Sequence, residues 1–136
     1  MTTRPESEDI LLNAFQDAFT LGYAVQYENN PDFTKPTNLP WVRFTIKGVD
    51  STQTGFAQVG DRTFDRPGLI SYQVFIPKDT GTYDGNTACE LINNIFEGNK
   101  FGDIYCEAGY YKKTGVQNDG FFQYNGRIFY HFDEHK

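Results

Sequence analysis

The sequence predicts an α+β fold: a largely antiparallel sheet of four or more strands with two helices packed on one face, in the order helix, strands, helix, hairpin. Three observations predict it. Apolar residues recur at helical spacing in two separate stretches, one near the start of the chain and one past its middle. Between and after them lie runs that alternate in polarity or are rich in β-branched and aromatic residues. Aromatic residues make up 17% of the 136, with 13 Phe and 9 Tyr against one Trp, a load that suits sheet surface used both as core and as contact area. One domain, 1–136, is expected at this length, with a core that needs no disulfide or metal.

The first helix starts near Thr3-Arg4-Pro5-Glu6, which has the form of a capping box with Pro in the first turn. Ile10, Leu11, Ala14, Phe15, Ala18 and Phe19 make its apolar stripe, and Gly22 is the natural stop. Early acids (Glu6, Glu8, Asp9) suit the positive end of the helix dipole. A short strand follows at 23–28, closed by Asn29-Asn30-Pro31, and Pro36 and Pro40 keep the next stretch extended. In 41–47, Val42, Phe44 and Ile46 face one way and Arg43, Thr45 and Lys47 the other, with Trp41 at the entrance.

The polar segment 48–61 has no strong period and reads as an exposed hairpin extension or a flexible loop. It leads into 62–76, around which the chain is organised. The second half, 69–76, is a well-buried strand ended by Pro77; in the first half Arg62, Phe64 and Arg66 share one face, with Thr63 and Asp65 on the other. Pro67-Gly68 predicts a bend or bulge between the halves, leaving an exposed arm at about 49–66.

Thr82 is the expected N-cap of a second helix that buries Ala88, Leu91, Ile92, Ile95 and Phe96, with Cys89 beside the stripe and Gly98 as the stop. The strand 104–111 places Ile104, Cys106 and Ala108 on one side and Tyr105 and Tyr111 on the other. Asn118-Asp119-Gly120 is a hairpin turn. A last strand runs from 121 to about 133, with a bulge at Asn125-Gly126 in preference to a second turn. Residues after Phe132 read as a polar tail.

Chemistry is sparse. A net charge of −6 argues against a nucleic-acid reader. No apolar run approaches a signal sequence or a membrane span, so a cytoplasmic protein with Cys89 and Cys106 reduced and buried is expected. No nucleophile elbow, phosphate loop or dinucleotide fingerprint is present, and no cofactor or metal is expected. His131 and His135 have the spacing of a helical pair, but on a strand that spacing does not converge on a metal. The carboxylate pairs Asp61 with Asp65 and Asp133 with Glu134 read as solvated surface charge. Cys106 against His131 on paired strands is the one nucleophile–base arrangement to test.

A binding or assembly role therefore leads. Arg62, Phe64 and Arg66, with Phe56 in the segment before them, are the candidate contact residues, because Arg and aromatic side chains dominate interface hot spots. The competing reading pairs the arginines with Asp61 and Asp65 and packs Phe64 on its own loop.

Several stretches together resemble the phage tail terminator family of long, non-contractile tails (the lambda type, siphoviruses). They are Trp41-Val42-Arg43-Phe44, then Arg62-Thr63-Phe64-Asp65-Arg66-Pro67-Gly68-Leu69 leading to Gln73-Val74-Phe75-Ile76-Pro77, then Ile95-Phe96-Glu97-Gly98, Gly120-Phe121-Phe122-Gln123-Tyr124-Asn125 and Phe132-Asp133-Glu134. The resemblance covers most of the chain from Tyr23 onward. It implies a non-enzymatic virion assembly protein that forms a homo-oligomeric, typically hexameric ring at the head-proximal end of the tail. Such a ring caps the tube of major tail protein, ends its polymerisation and offers a surface for head-tail joining, while DNA passes through the lumen unread. It is assembled in the host cytoplasm and touches no membrane. A ring of this kind needs two different patches per subunit. On this reading Arg62, Phe64, Arg66 and Phe56 form the candidate subunit or tube interface, and Arg62→Glu with Arg66→Glu leaves the fold intact while weakening that contact. The alternatives are a head-completion or neck connector protein and, further off, a small enzyme or ligand-binding domain built on Cys106 and His131.

Overall fold

The computed structural model describes residues 2–136. Its elements run α1 (Arg4–Ala18), β1 (Ala24–Tyr27), β2 (Trp41–Gly48), β3 (Thr52–Gly55), β4 (Thr63–Pro77), α2 (Tyr83–Phe96), β5 (Lys100–Phe101), β6 (Ile104–Val116) and β7 (Phe121–His135). The fold is α+β, as the two periodicities predict. One sheet is ordered β1-β2-β4-β7-β6-β5, with β3 added to the part of β4 that extends past β2. Only β1 pairs in parallel, with β2.

Both helices pack on the inner face of the sheet. Leu11 and Phe15 of α1 and Ala88, Cys89, Ile92 and Phe96 of α2 meet Val42, Phe44, Ile46, Ile70, Tyr72, Val74, Ile76, Tyr124 and Ile128. The Phe15 ring stacks on Phe44 at 4.1 Å, which ties α1 to β2. A smaller cluster sits on the outer face, where Trp41 stacks on Phe75 at 4.0 Å and is covered by Phe33 and Phe121. Burying such rings is the main favourable contribution to folding.

Thr3 caps α1 by accepting from the Glu6 N–H, as the capping box predicts. The helix ends at Ala18 rather than Gly22, because Phe19 turns extended to stack its ring on Phe15 at 4.9 Å. Ala18, placed in the stripe by spacing, is exposed. Thr82 sits at the N-cap position of α2 but has helical backbone angles and makes no side-chain cap bond. Leu91 and Ile95 are half-buried, while Gly85 and Asn93 take the buried positions that spacing did not assign them.

Pro67-Gly68 makes no bend. β4 pairs with β7 in unbroken register from Thr63↔His135 to Pro77↔Phe121. The Pro67 carbonyl accepts from the Val49 N–H, so the N–H that proline lacks points into the gap between β2 and β3, where the ladder does not require it. Gly68 is needed for close approach instead: a Cβ there would lie 2.1 Å from Cζ of Tyr130. Gly126 does the same for Tyr72, and β7 runs through Asn125-Gly126 with neither bulge nor turn.

The irregularities in the pairing with β7 lie on β6, where the register shifts between Lys113 and Gly115 and, at an earlier bulge, between Cys106 and Gly109. Alternation resets at this bulge. Ile104 and Cys106 point inward before it; Gly109 and Tyr111 do so after it, and Ala108 is exposed. Tyr111 is therefore on the core side, opposite to the simple alternation. Nor are the residues after Phe132 a tail: β7 continues to His135, with Glu134 buried.

Candidate functional site

The arm is a three-stranded extension of the sheet, not a loose loop. β3 pairs with β4 through Thr52↔Asp65, Gln53↔Phe64 and Gly55↔Thr63, and the far edge of β4 pairs with the end of β7. Thr63 Oγ1 lies 2.9 Å from His135 Nδ1, and the Lys136 N–H donates to the Arg62 carbonyl at 2.9 Å. Between β3 and β4 the chain turns at 56–62. Here Phe56 is 84% exposed and Val59 81%, the two most exposed large hydrophobic side chains among the described residues.

Arg62, Phe64 and Arg66 do share one face, as alternation requires, but their jobs differ. The Phe64 ring is half-buried under cations, with Arg66 Cζ at 4.7 Å, Lys136 Nζ at 5.7 Å and Arg62 Cζ at 6.0 Å from its centroid. Arg66 is buried, and its Nε donates to Glu134 Oε1 at 3.0 Å. It therefore fails as an exposed contact residue: its guanidinium is spent inside the arm. Arg62 Nε donates to the Lys136 carbonyl at 2.8 Å and is partly exposed. Neither arginine forms an ion pair with Asp61 or Asp65. Of the four candidates, Phe56 is the fully exposed one. Val59 is its missed companion; its only signal in sequence is an apolar residue in a polar segment.

At the base of the arm lies an open cleft of about 430 Å³, lined in part by Arg4, Ser7, Glu8, Asp50, Arg66 and Tyr130. Arg4 Nη2 donates to Ser51 Oγ at 2.7 Å across it, tying the first turn of α1 to the β2–β3 connection. Burial pushes the Tyr130 phenol up to about 12, with Glu8 adding to the shift.

Cys106 and His131 do not meet. Cys106 is paired with Tyr130 and Tyr105 with His131, so the thiol points into the core while His131 stacks on Tyr105 at 5.5 Å on the outer face. Burial pushes both thiols up to about 12, Glu90 contributing at Cys89. Thiol reagents should accordingly leave native protein unlabelled at pH 7.5 and modify two thiols per chain in denaturant; a fast native reaction at Cys106 would overturn this assignment. The stability linkage has a sign. Because the folded thiol pKa lies above the ordinary 9.0, this contribution is intact below about pH 9 and is lost as pH rises toward 12. The urea midpoint should hold up to about pH 9 and fall beyond it.

His131, Asp133 and His135 line up on the outer face of β7, and no group of three or more His, Cys, Asp or Glu among the described residues is placed to hold a metal. Asp65 and Asp133 stand directly opposite each other, which makes the outer face of the arm acidic. Asp61 is exposed, as its reading as surface charge predicts, whereas Glu134 is buried beside Arg66 and is not.

No family model matches the chain, and no curated protein matches it. Solved structures do. One of them, a protein whose name states no function, superposes with a TM-score of 0.64 at 15% identity, covering 95% of this chain and 97% of its own. At that identity the likeness shows that the whole α+β arrangement recurs as a fold, and nothing more.

Proposed function

We propose that the chain is a virion assembly subunit, a tail terminator that forms a ring on the end of a phage tail tube. In that role it binds further copies of itself, the major tail tube protein and a head-tail connector. DNA passes through the ring without being read, and the protein catalyses no reaction. The likeness of residues in 41–44, 62–77, 95–98 and 120–134 to that family supports the reading. One structural observation carries it further: the arm is stiffened on both edges of β4 and presents Phe56 and Val59 to solvent at its tip. Apolar side chains held out on a built extension are suited to a pocket on a neighbour.

The test is to replace the tip. Phe56→Ser with Val59→Ser should leave thermal stability within about 0.5 kcal/mol of wild type, since neither side chain is buried. The same variant should lose co-sedimentation with its cognate tail tubes. Tip variants that bind tubes as well as wild type would remove the arm from the contact. A wild-type protein that ignores tubes but binds the connector would favour the neck-protein alternative.

A further inference from the structure

The chain is acidic overall, yet its charge is sorted by face. Three cross-strand rows run over the middle of the outer sheet: Arg43–Gln73–Asn125–Lys112, Thr45–Ser71–Arg127–Tyr110, and Lys47–Leu69–Phe129. They carry four cations and no carboxylate; Glu107, in the β6 bulge where the third row ends, and the arm pair Asp65 and Asp133 lie outside them. The opposite layer is the reverse. α1 and α2 carry Glu6, Glu8, Asp9, Asp17, Asp84 and Glu90, all exposed, against the single base Arg4.

The basic face is also held in shape. Arg43 donates from Nε to Gln26 at 2.9 Å and from Nη1 to Gln73 at 2.6 Å, and it lies over Trp41 and Phe75 at 5.4 Å from each ring. Arg127 lies over Tyr110 at 4.7 Å and Phe129 at 5.9 Å. Tyr110 and Phe129 are themselves 44% and 39% exposed beside a shallow groove of about 300 Å³. Arginine laid on partly exposed aromatic rings is the composition of an interface centre rather than of ordinary solvated surface.

We infer that this outer sheet face docks on the acidic helix layer of a second copy of the chain. The two faces lie on opposite sides of one subunit, are complementary in charge, and differ from each other. Contact between them is head-to-tail, and such contacts propagate into a ring or filament instead of stopping at a dimer. The inference deepens the ring reading and rests on it for the identity of the occupant, while naming a contact distinct from the arm. It also reconciles the basic patch with the net charge of −6, which a nucleic-acid partner would leave opposed by long-range repulsion.

Sedimentation velocity on the full chain, alone and with cognate tubes, tests it through charge reversal. Lys47→Glu with Lys112→Glu reverses two exposed positions of the sheet face, and Asp9→Lys with Asp17→Lys reverses two of α1; thermal melts check that each variant folds. Wild-type association should weaken about tenfold or more between 50 and 500 mM salt, as screening of facing charges requires. Each reversed chain should fail to associate with itself. Mixed one to one, the two should associate again in strict alternation, because the reversed sheet face meets the reversed helix layer at one junction and the two unreversed faces meet at the next. A chain carrying both reversals should associate again.

Wild-type-like association of the Lys47→Glu, Lys112→Glu chain would overturn this contact and leave the ring reading standing. A wild type that stays monomeric with and without tubes would overturn both. Salt-sensitive association by these faces in a protein that never binds tubes would keep the contact and remove the tail assignment. Binding of a 20-nucleotide DNA that the lysine reversals abolish, with association unchanged, would replace the second copy by nucleic acid.

Discussion

Gly126→Ala should destabilise the protein by about 3 kcal/mol or more, at the upper end of what overpacking a core costs. A Cβ at this position would lie 2.0 Å from Cζ and 2.3 Å from the hydroxyl oxygen of Tyr72. Tyr72 has nowhere to go. It is fully buried, and its hydroxyl donates to Asn93 Oδ1 at 2.6 Å, a bond that satisfies a buried amide on α2. Moving the ring breaks that bond and leaves a buried acceptor unpaired, which adds about 1–3 kcal/mol. Urea unfolding would show the loss as a lower midpoint. Shortening the ring should relieve the clash, so Tyr72→Leu with Gly126→Ala should be less destabilised than the sum of the two single variants. An alanine variant with the wild-type midpoint would mean that Tyr72 is not seated as described.

Arg66→Ala should cost about 3 kcal/mol, near the lower end for breaking a buried ion pair, because it strands the Glu134 carboxylate inside the arm. The pair is not wholly dry, with side chains 9% and 11% exposed, so the higher end of that range is not expected. Arg66→Glu should be worse, since it sets two carboxylates together. Arg66→Met with Glu134→Leu should return close to wild type, as apolar replacement of a whole buried pair does. Arg62→Glu should by contrast stay within about 1 kcal/mol, because its carbonyl partner remains accessible to water. The pairing of Arg62→Glu with Arg66→Glu is therefore a poor probe of assembly. Its second member attacks the fold.

Much of the scaffold was legible because burial enforces periodicity. Val42, Phe44 and Ile46 alternate into the core, Leu11 and Phe15 lie on the helix stripe, and Asn118-Asp119-Gly120 turns the last hairpin. The misreadings share a physical origin. Gly68 and Gly126 look like places where a strand breaks, but each is a smooth strand position over which a tyrosine ring from elsewhere in the sheet is laid. Asp133, Glu134 and His135 have the composition of a tail, yet pairing with β4 makes them strand, since tertiary context overrides local preference.

The candidate site was legible to the same degree. Alternation placed Arg62, Phe64 and Arg66 together, and the polar segment around Phe56 proved exposed. That Arg66 is spent on Glu134, 68 residues away, depends on the register of β4 with β7, which no local pattern encodes. The basic sheet face was invisible for the same reason. Arg43, Lys47, Lys112 and Arg127 are scattered along the chain and become one surface only when four strands are set in order.

The length distribution of tail tubes, measured by negative-stain electron microscopy, tests the central claim most directly. Tube protein polymerised with this chain present should give tubes bearing a ring of extra density at one end, and those tubes should stop growing when more tube protein is added. Tubes that carry no such end structure and go on elongating at the rate seen without the chain would contradict the assignment.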